Sequence, residues 1–126
     1  MRLLLDTHIL LWSMANDQRL SPEAASLIID PQNMILVSSV SFWEIAVKKR
    51  LDKIEISLPE LLEAVRACDF ETLSVRPEHC IQLADLPLLH RDPFDRMLVA
   101  QSRVEPAILV TSDRTLSDYG ETVMLV

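Results

Sequence analysis

Five acidic residues of this sequence lie where secondary structure is predicted to begin or end. Two of them directly follow short apolar runs, one lies near the start of a helical segment, and two lie three residues apart in the first turn of another. In that order they are Asp6 and Asp113, Glu44, and Asp92 and Asp95. Carboxylates gathered in one place repel one another, so their pKa values must rise unless a cation neutralises them.

Oxygen ligands alone favour a hard divalent cation, Mg²⁺ or Mn²⁺, over zinc. A cation held in this way lowers the pKa of a bound water and stabilises charge on a phosphate oxygen, so it suits phosphoryl chemistry. The two cysteines, Cys68 and Cys80, form no metal or redox motif and are interpreted as reduced, semi-buried thiols. The histidines show no ligand spacing and are interpreted as structural or peripheral: His8, His79 and His90.

The two acids that follow the first and second apolar runs also have a purely structural interpretation. Asp6 can cap the helix that follows it. Glu44 fits a capping box with Ser41 at the start of a helix, and it also pairs with Lys48 four residues later. These interpretations compete with a role in cation binding.

The other three acids are open to the same doubt. Asp92 precedes a proline and is most simply an N-cap, which would make it a supporting residue. The helix dipole alone can favour Asp95 in a first turn. Asp113 can begin a turn before Thr115. Only the joint placement of all five acids favours a common site.

The elements that must position these acids alternate along the chain. Five short apolar runs separated by helices imply βαβ crossovers and a parallel sheet covered on both faces. Ligands of such sheets bind beyond the carboxyl ends of the strands. Strands are predicted at 2–5, 34–39, 71–75 and 107–112 and in the segment TVMLV, and helices at 8–15, 21–30, 41–51, 59–69, 77–86 and 92–105.

The composition limits the class of protein. A chain of 126 residues with 49% hydrophobic residues predicts a single domain, residues 1–126, with a buried core. A net charge of −7 argues against a module that coats nucleic acid by charge alone. The single glycine, Gly120, excludes glycine-rich phosphate-binding loops. No signal peptide or 18-residue apolar stretch is present, so a cytoplasmic protein without a membrane span is expected.

Four segments, taken in order, resemble the motif blocks of PIN-domain ribonucleases, and above all the VapC toxins of bacterial type II toxin–antitoxin pairs. They are LLLDTHILLW, SSVSFWEIAVKKRLDKI, HRDPFDRMLVAQ and ILVTSD, and they span almost the whole chain. The resemblance implies a PIN-like three-layer α/β fold, with a central parallel sheet of about five short strands flanked by helices. It also implies a divalent-metal site built from acidic residues.

Carried over position by position, the resemblance implies roles for particular residues. The family's turn after the second acid often carries glycine, where this chain has Asp52, which puts the local geometry of that turn in doubt. Phosphate contacts are expected from basic residues near the acids, although a solvated helix face explains the basic stretch of Lys48, Lys49, Arg50 and Lys53 equally well. The resemblance implies that the catalytic and metal-binding residues are Asp6, Glu44, Asp95 and Asp113, and that Asp92 of the same block is a supporting residue. From their positions beside the acids, Thr7 and Ser112 are expected to add hydroxyl support, and the expected substrate-binding residues are Lys48, Arg96 and Arg114.

The function implied is that of a metal-dependent endoribonuclease, the toxin of a toxin–antitoxin system, in which a water activated by Mg²⁺ or Mn²⁺ hydrolyses RNA phosphodiester bonds. The expected partners are RNA, a small cognate antitoxin and a second copy of the chain. Leu11, Trp12 and Phe42 favour such a homodimer, although core burial explains each of them as simply. The alternatives are a catalytically inactive PIN-like interaction domain and, less favoured, a metal-dependent phosphatase or receiver-like domain.

Overall fold

A computed structural model describes residues 1–51 and 55–126. Asp52, which raised the question about the turn after the second acid, lies outside the described residues. The strands are β1 Arg2–Leu5, β2 Met34–Ser38, β3 Glu71–Leu73, β4 Ile108–Thr111 and β5 Val123–Leu125. The helices are α1 Thr7–Met14, α2 Pro22–Ile29, α3 Ser39–Arg50, α4 Leu58–Ala67, α5 Pro77–Asp85 and α6 Pro93–Val104, with a 3-10 helix at Arg114–Tyr119.

The five strands form one sheet in the order β3-β2-β1-β4-β5, and every neighbouring pair is parallel. The predicted parallel sheet of five short strands is therefore confirmed. From β1 the chain builds towards β2 and β3 on one side, and later returns to build β4 and β5 on the other. The strand order thus reverses between β1 and β4, which is where open α/β sheets bind their ligands.

Both faces of the sheet are covered, as parallel strands require. Successive side chains of a strand point to opposite faces, so Leu3 and Leu5 pack in one hydrophobic core and Leu4 packs in the other. The first core also contains residues of α1, α3 and α4, and the second is filled by α6 and the 3-10 helix. Two cores on one sheet hold its carboxyl edge rigid.

Local capping explains where most helices begin. Ser21 caps α2 by accepting the Ala24 backbone N–H at 3.1 Å, and Pro22 follows at the first helical position, as predicted. Asp92 caps α6 by accepting the backbone N–H groups of Phe94 and Asp95 at 2.8 and 3.2 Å. The interpretation of Asp92 as an N-cap is confirmed.

The start of α3 differs from the prediction. Its N-cap is Ser38, whose hydroxyl accepts the Val40 backbone N–H at 3.0 Å. The helix thus follows β2 without a loop, and Glu44 lies in its second turn rather than its first. The predicted capping box of Ser41 with Glu44 is therefore wrong, because both residues are already inside the helix.

Two strand ends, the 3-10 helix and the cysteines also differ from the prediction. β2 and β3 end earlier than predicted, and the 3-10 helix, which buries Leu116 and Tyr119, was not predicted at all. Both cysteines are free and exposed, so their interpretation as semi-buried thiols is wrong. Within residues 1–51 and 55–126 no helix is long and apolar enough to cross a membrane.

Candidate functional site

Asp6 is held at the carboxyl end of β1 by both neighbouring elements. Its backbone N–H donates to the Val110 carbonyl of β4 at 3.0 Å. One carboxylate oxygen accepts the Ile9 N–H at 3.0 Å and so caps α1, and the other accepts the Thr111 hydroxyl. Burial raises the pKa of Asp6, and these hydrogen bonds oppose the rise. The buried carboxylate is thus held by two hydrogen bonds, and the backbone of Asp6 is held by a third.

Glu44 reaches the same edge from α3, where it is only 2% exposed. Its Oε1 lies 2.7 Å from the Thr7 hydroxyl, which also lies 2.9 Å from the hydroxyl of Ser41. Its Oε2 accepts a hydrogen bond from Lys48 Nζ at 2.5 Å, which confirms the predicted pair one turn apart. Desolvation lowers the pKa of Lys48, but the hydrogen bond and charge of Glu44 outweigh it and raise that pKa.

Asp95 is the member of the cluster whose charge is opposed by both burial and neighbouring carboxylates. Its side chain, in the first turn of α6, is 18% exposed. Burial raises its pKa to about 8, and the charges of four other carboxylates add to that rise. Those four are Asp92, Asp6, Glu44 and Asp113. The structure therefore places the other four predicted acids near enough to Asp95 to affect its charge, although among the described acids only Asp95 and Asp113 belong to a group with ligand atoms within 4.8 Å of one another.

Asp113 follows β4 and caps the 3-10 helix. Its Oδ1 accepts hydrogen bonds from the backbone and the hydroxyl of Thr115 at 3.0 and 2.7 Å, as expected for a turn beginning at this acid. Its Oδ2 lies 3.1 Å from His90 Nε2. Desolvation raises the pKa of Asp113, but the hydrogen bonds from Thr115 and His90 outweigh it and hold that pKa below its ordinary value.

His90 is a member of the site that the sequence interpretation missed. Its Nε2 lies 3.1 Å from Asp113 Oδ2 and 3.7 Å from Asp95 Oδ2, and the three side chains offer ligand atoms within 4.8 Å of one another. The interpretation of this histidine as peripheral is therefore wrong. Its place in the segment HRDPFD, beside two of the acids, was the available signal.

Comparison with known proteins identifies the family of this chain. The PIN-domain model matches residues 3–121. The chain belongs to the PIN-domain family. Ribonuclease VapC22 of Mycobacterium tuberculosis is 32% identical to this PIN domain in an alignment of 123 residues. The match covers 92% of this chain and 90% of that protein.

Solved structures confirm the predicted PIN-like fold. VapBC2 from Rickettsia felis, bound to a DNA fragment from its promoter, matches with a TM-score of 0.71 at 16% identity, covering 100% of this chain and 98% of the other. A toxin–antitoxin complex from Klebsiella pneumoniae matches with a TM-score of 0.61 at 16% identity, covering 96% and 94% of the two chains.

The hydroxyl and basic residues predicted for the site of this PIN domain differ in their hydrogen bonds and in their exposure. Among the described residues Ser112 makes no side-chain hydrogen bond, and its neighbour Thr111 instead supports Asp6. Arg96 is partly buried and donates from Nη2 to the Leu86 carbonyl at 3.2 Å, while its Nε is buried without a hydrogen-bond partner in the described chain. Arg114 is exposed directly after Asp113.

Proposed function

We propose that this PIN-domain protein is a metal-dependent endoribonuclease and the toxin of a toxin–antitoxin pair. The observation that carries the proposal is the placement of carboxylates at one edge of the sheet, where Asp6, Glu44, Asp92 and Asp113 lie near enough to Asp95 for their charges to add to the rise in pKa that its burial causes. Such a concentration of negative charge favours a bound divalent cation. The kind of substrate is supported by the PIN-domain match and by the relative named a ribonuclease.

The donor set fits a hard cation, since carboxylate oxygens make up the proposed ligands Asp6, Glu44, Asp95 and Asp113. Mg²⁺ or Mn²⁺, when bound, would supply positive charge to the scissile phosphate and lower the pKa of a nearby water. The reaction is hydrolysis, in which the water oxygen forms a bond to phosphorus and the bond from phosphorus to the 3′ oxygen breaks.

The chain's own residues supply rigidity at this edge. Asp6 is fixed by Ile9 and Thr111, and Glu44 is fixed by Thr7 and Lys48. Because these carboxylates cannot reorient freely, they need little rearrangement when a cation binds, which is the usual advantage of a preorganised site. We assign Thr7 a supporting role through this hydroxyl.

RNA must approach a chain whose net charge is −7, so nearby cations have to position its phosphates. We assign this task to Lys48, which faces the acids, and to Arg114, which is exposed beside Asp113. Arg96 has one N–H engaged with the Leu86 carbonyl, and a phosphate contact there would use its remaining donors.

The proposed partners are a small antitoxin and a second copy of the chain. Support for the antitoxin comes from the two solved structures of the same fold, which are toxin–antitoxin assemblies. The homodimer was predicted mainly from the family resemblance, and Leu11, Trp12 and Phe42, which were its further support, pack against a core. An exposed apolar strip on α3 and its C-cap now supports the dimer better: Trp43 at 58%, Val47 at 38% and the C-cap Leu51 at 59% exposure, each four residues from the next.

Cleavage of RNA by the purified chain tests the function. We expect cleavage with Mg²⁺ or Mn²⁺, none with excess chelator, and loss of cleavage in Glu44→Gln. An exposed acid away from the site, Glu60, provides the matched variant Glu60→Gln, which we expect to cleave like the wild type. A wild type that binds the cation but cleaves no RNA would favour the alternative of an inactive PIN-like domain. Membership of the family argues against the phosphatase-like and receiver-like alternatives.

A further inference from the structure

We infer that His90 is a positioning residue, which aligns Asp113 for metal binding by donating a hydrogen bond and does not bind the metal itself. The inference rests on the proposed metal-dependent function. His90 lies among the candidate ligands Asp95 and Asp113, and in this assignment it contacts these ligands but not the metal.

The hydrogen-bond partners of the imidazole determine which nitrogen carries the proton. The Asp92 backbone N–H donates to Nδ1 at 3.1 Å, so Nδ1 presents a lone pair. The proton of the neutral ring therefore lies on Nε2, which faces Asp113 Oδ2 at 3.1 Å. A protonated Nε2 has no lone pair for a cation, although its distances to Asp95 and Asp113 would suit a ligand.

The loop that carries His90 is tied to the element that carries Asp113. The hydroxyl of Tyr119 accepts the backbone N–H groups of Leu89 and His90 at 3.2 and 3.1 Å and donates to the Pro87 carbonyl at 2.9 Å. Tyr119 ends the 3-10 helix that Asp113 caps, and it is buried. The imidazole and its acceptor are therefore held by the same short unit of structure.

Asp113 is the proposed ligand that most needs such support. Its side chain is 41% exposed, whereas Asp6 and Glu44 are buried. Thr115 fixes its Oδ1, so the His90 hydrogen bond is what fixes Oδ2. A carboxylate oxygen has a second lone pair that stays available for a cation while the first accepts this bond.

Two substitutions separate the two nitrogens of the ring. In His90→Gln the side-chain amide N–H₂ reaches about as far as Nε2, so the donor to Asp113 can be kept while the acceptor for Asp92 is lost. In His90→Asn the amide oxygen takes the place of Nδ1, so the acceptor is kept and the donor is lost. If His90 acts by donating to Asp113, glutamine should rescue metal binding and asparagine should not.

The measurement is the affinity of the RNA-free protein for Mn²⁺, followed by electron paramagnetic resonance. We expect His90→Asn to bind about 10- to 100-fold more weakly than the wild type, as is usual when such a supporting residue is lost. We expect His90→Gln to recover most of that loss. Equal weakening in both variants, or no weakening in His90→Asn, would overturn the inference.

The spectrum of bound Mn²⁺ separates positioning from direct ligation. We expect no electron spin-echo modulation from a directly bound imidazole nitrogen in the wild type, and a modulation that disappears in both variants would show that His90 is a ligand. If His90→Asn does not fold, Tyr119→Phe provides a second test, since it releases the loop and keeps the imidazole. Its Mn²⁺ affinity should fall, and an unchanged affinity would contradict the inference. A wild type that binds no Mn²⁺ would instead refute the proposed function.

Discussion

At the scale of single residues, the protonation of Asp95 affects the stability of the folded state. Its pKa of about 8 in the folded protein lies above the ordinary value of 3.8, so the folded state binds its proton more tightly than the unfolded state does. The stabilisation is complete below the unfolded value and is lost as the pH rises through the folded value. The site is thus least stable where its carboxylates are all ionised.

We predict that the metal-free protein loses stability between about pH 4 and about pH 8, with Asp95 contributing up to about 1.4 kcal/mol for each pH unit. Asp6 contributes in the same direction, since burial raises its pKa too. Because both acids contribute, the part due to Asp95 is the difference in the pH dependence of unfolding free energy between the wild type and Asp95→Asn. Urea unfolding in the presence of a chelator, repeated across this pH range, should show that the free energy of unfolding falls less steeply with pH in the variant. An identical pH dependence in the two proteins would contradict the pKa assigned to Asp95.

Asp95→Asn should also abolish RNA cleavage, because a neutral amide is a weaker ligand for Mg²⁺ and removes one charge at nearly constant volume. Mg²⁺ should raise the melting temperature of the wild type, by an amount equivalent to about 2.7 kcal/mol at a hundredfold excess over Kd, and should raise that of the variant less. Asp69→Asn is the matched control, since Asp69 is exposed and asparagine tolerates its positive φ of 58°. If Asp95 only supported its helix, cleavage would survive.

Thr111 and Ser112 provide a third test at this scale. Thr111→Val removes the hydroxyl that donates to the buried Asp6 at almost constant volume, so it should cost about 1–3 kcal/mol of folding free energy and weaken metal binding. Ser112→Ala should change both quantities little, since Ser112 is exposed. Calorimetric melting and Mn²⁺ titration of the two variants are the measurements, and a larger effect of Ser112→Ala would restore the original sequence prediction.

At the scale of elements, capping predicts a difference between two serines. Ser21→Ala should cost about 1 kcal/mol, the usual effect of losing an N-cap. Ser38→Ala should cost more, about 2–3 kcal/mol, because the Ser38 hydroxyl also donates to the buried Gln101 Oε1 at 2.6 Å and the loss leaves that oxygen unsatisfied. Chemical denaturation measures both, and equal costs would show that the buried bond adds nothing.

The sequence predicted the elements well wherever the signal was local. The cap at Ser21 and the continuous apolar run of β1 depend on neighbouring residues, and both were predicted with nearly correct bounds. The start of α3 was missed because Ser38 and Ser41 both suit an N-cap, and only the sheet decides between them. His90 and Thr111 were missed because their partners lie 23 and 105 residues away in the sequence.

At the scale of the whole molecule, the organisation of residues 1–126 as one domain stays a prediction, as does the homodimer. Trp43→Glu places a charge in the exposed apolar strip of α3 and should convert a dimer to a monomer. Ile29→Glu makes the same change at a side chain that is 79% exposed on α2, and it should leave the dimer intact. Light scattering at micromolar concentrations measures both, and a monomeric wild type would end the dimer prediction.

The pairing of β1 with β4 has a consequence for the synthesis of the protein. Leu3, Leu4 and Leu5 pair with Ile108, Leu109 and Val110, which are translated about 105 residues later. Until that later segment has emerged from the ribosome, β1 lacks one neighbour and Asp6 lacks both Thr111 and Asp113. The acidic cluster is therefore incomplete until residues 111–113 have been translated, and a partner that binds the nascent chain earlier would meet it before the cluster has formed.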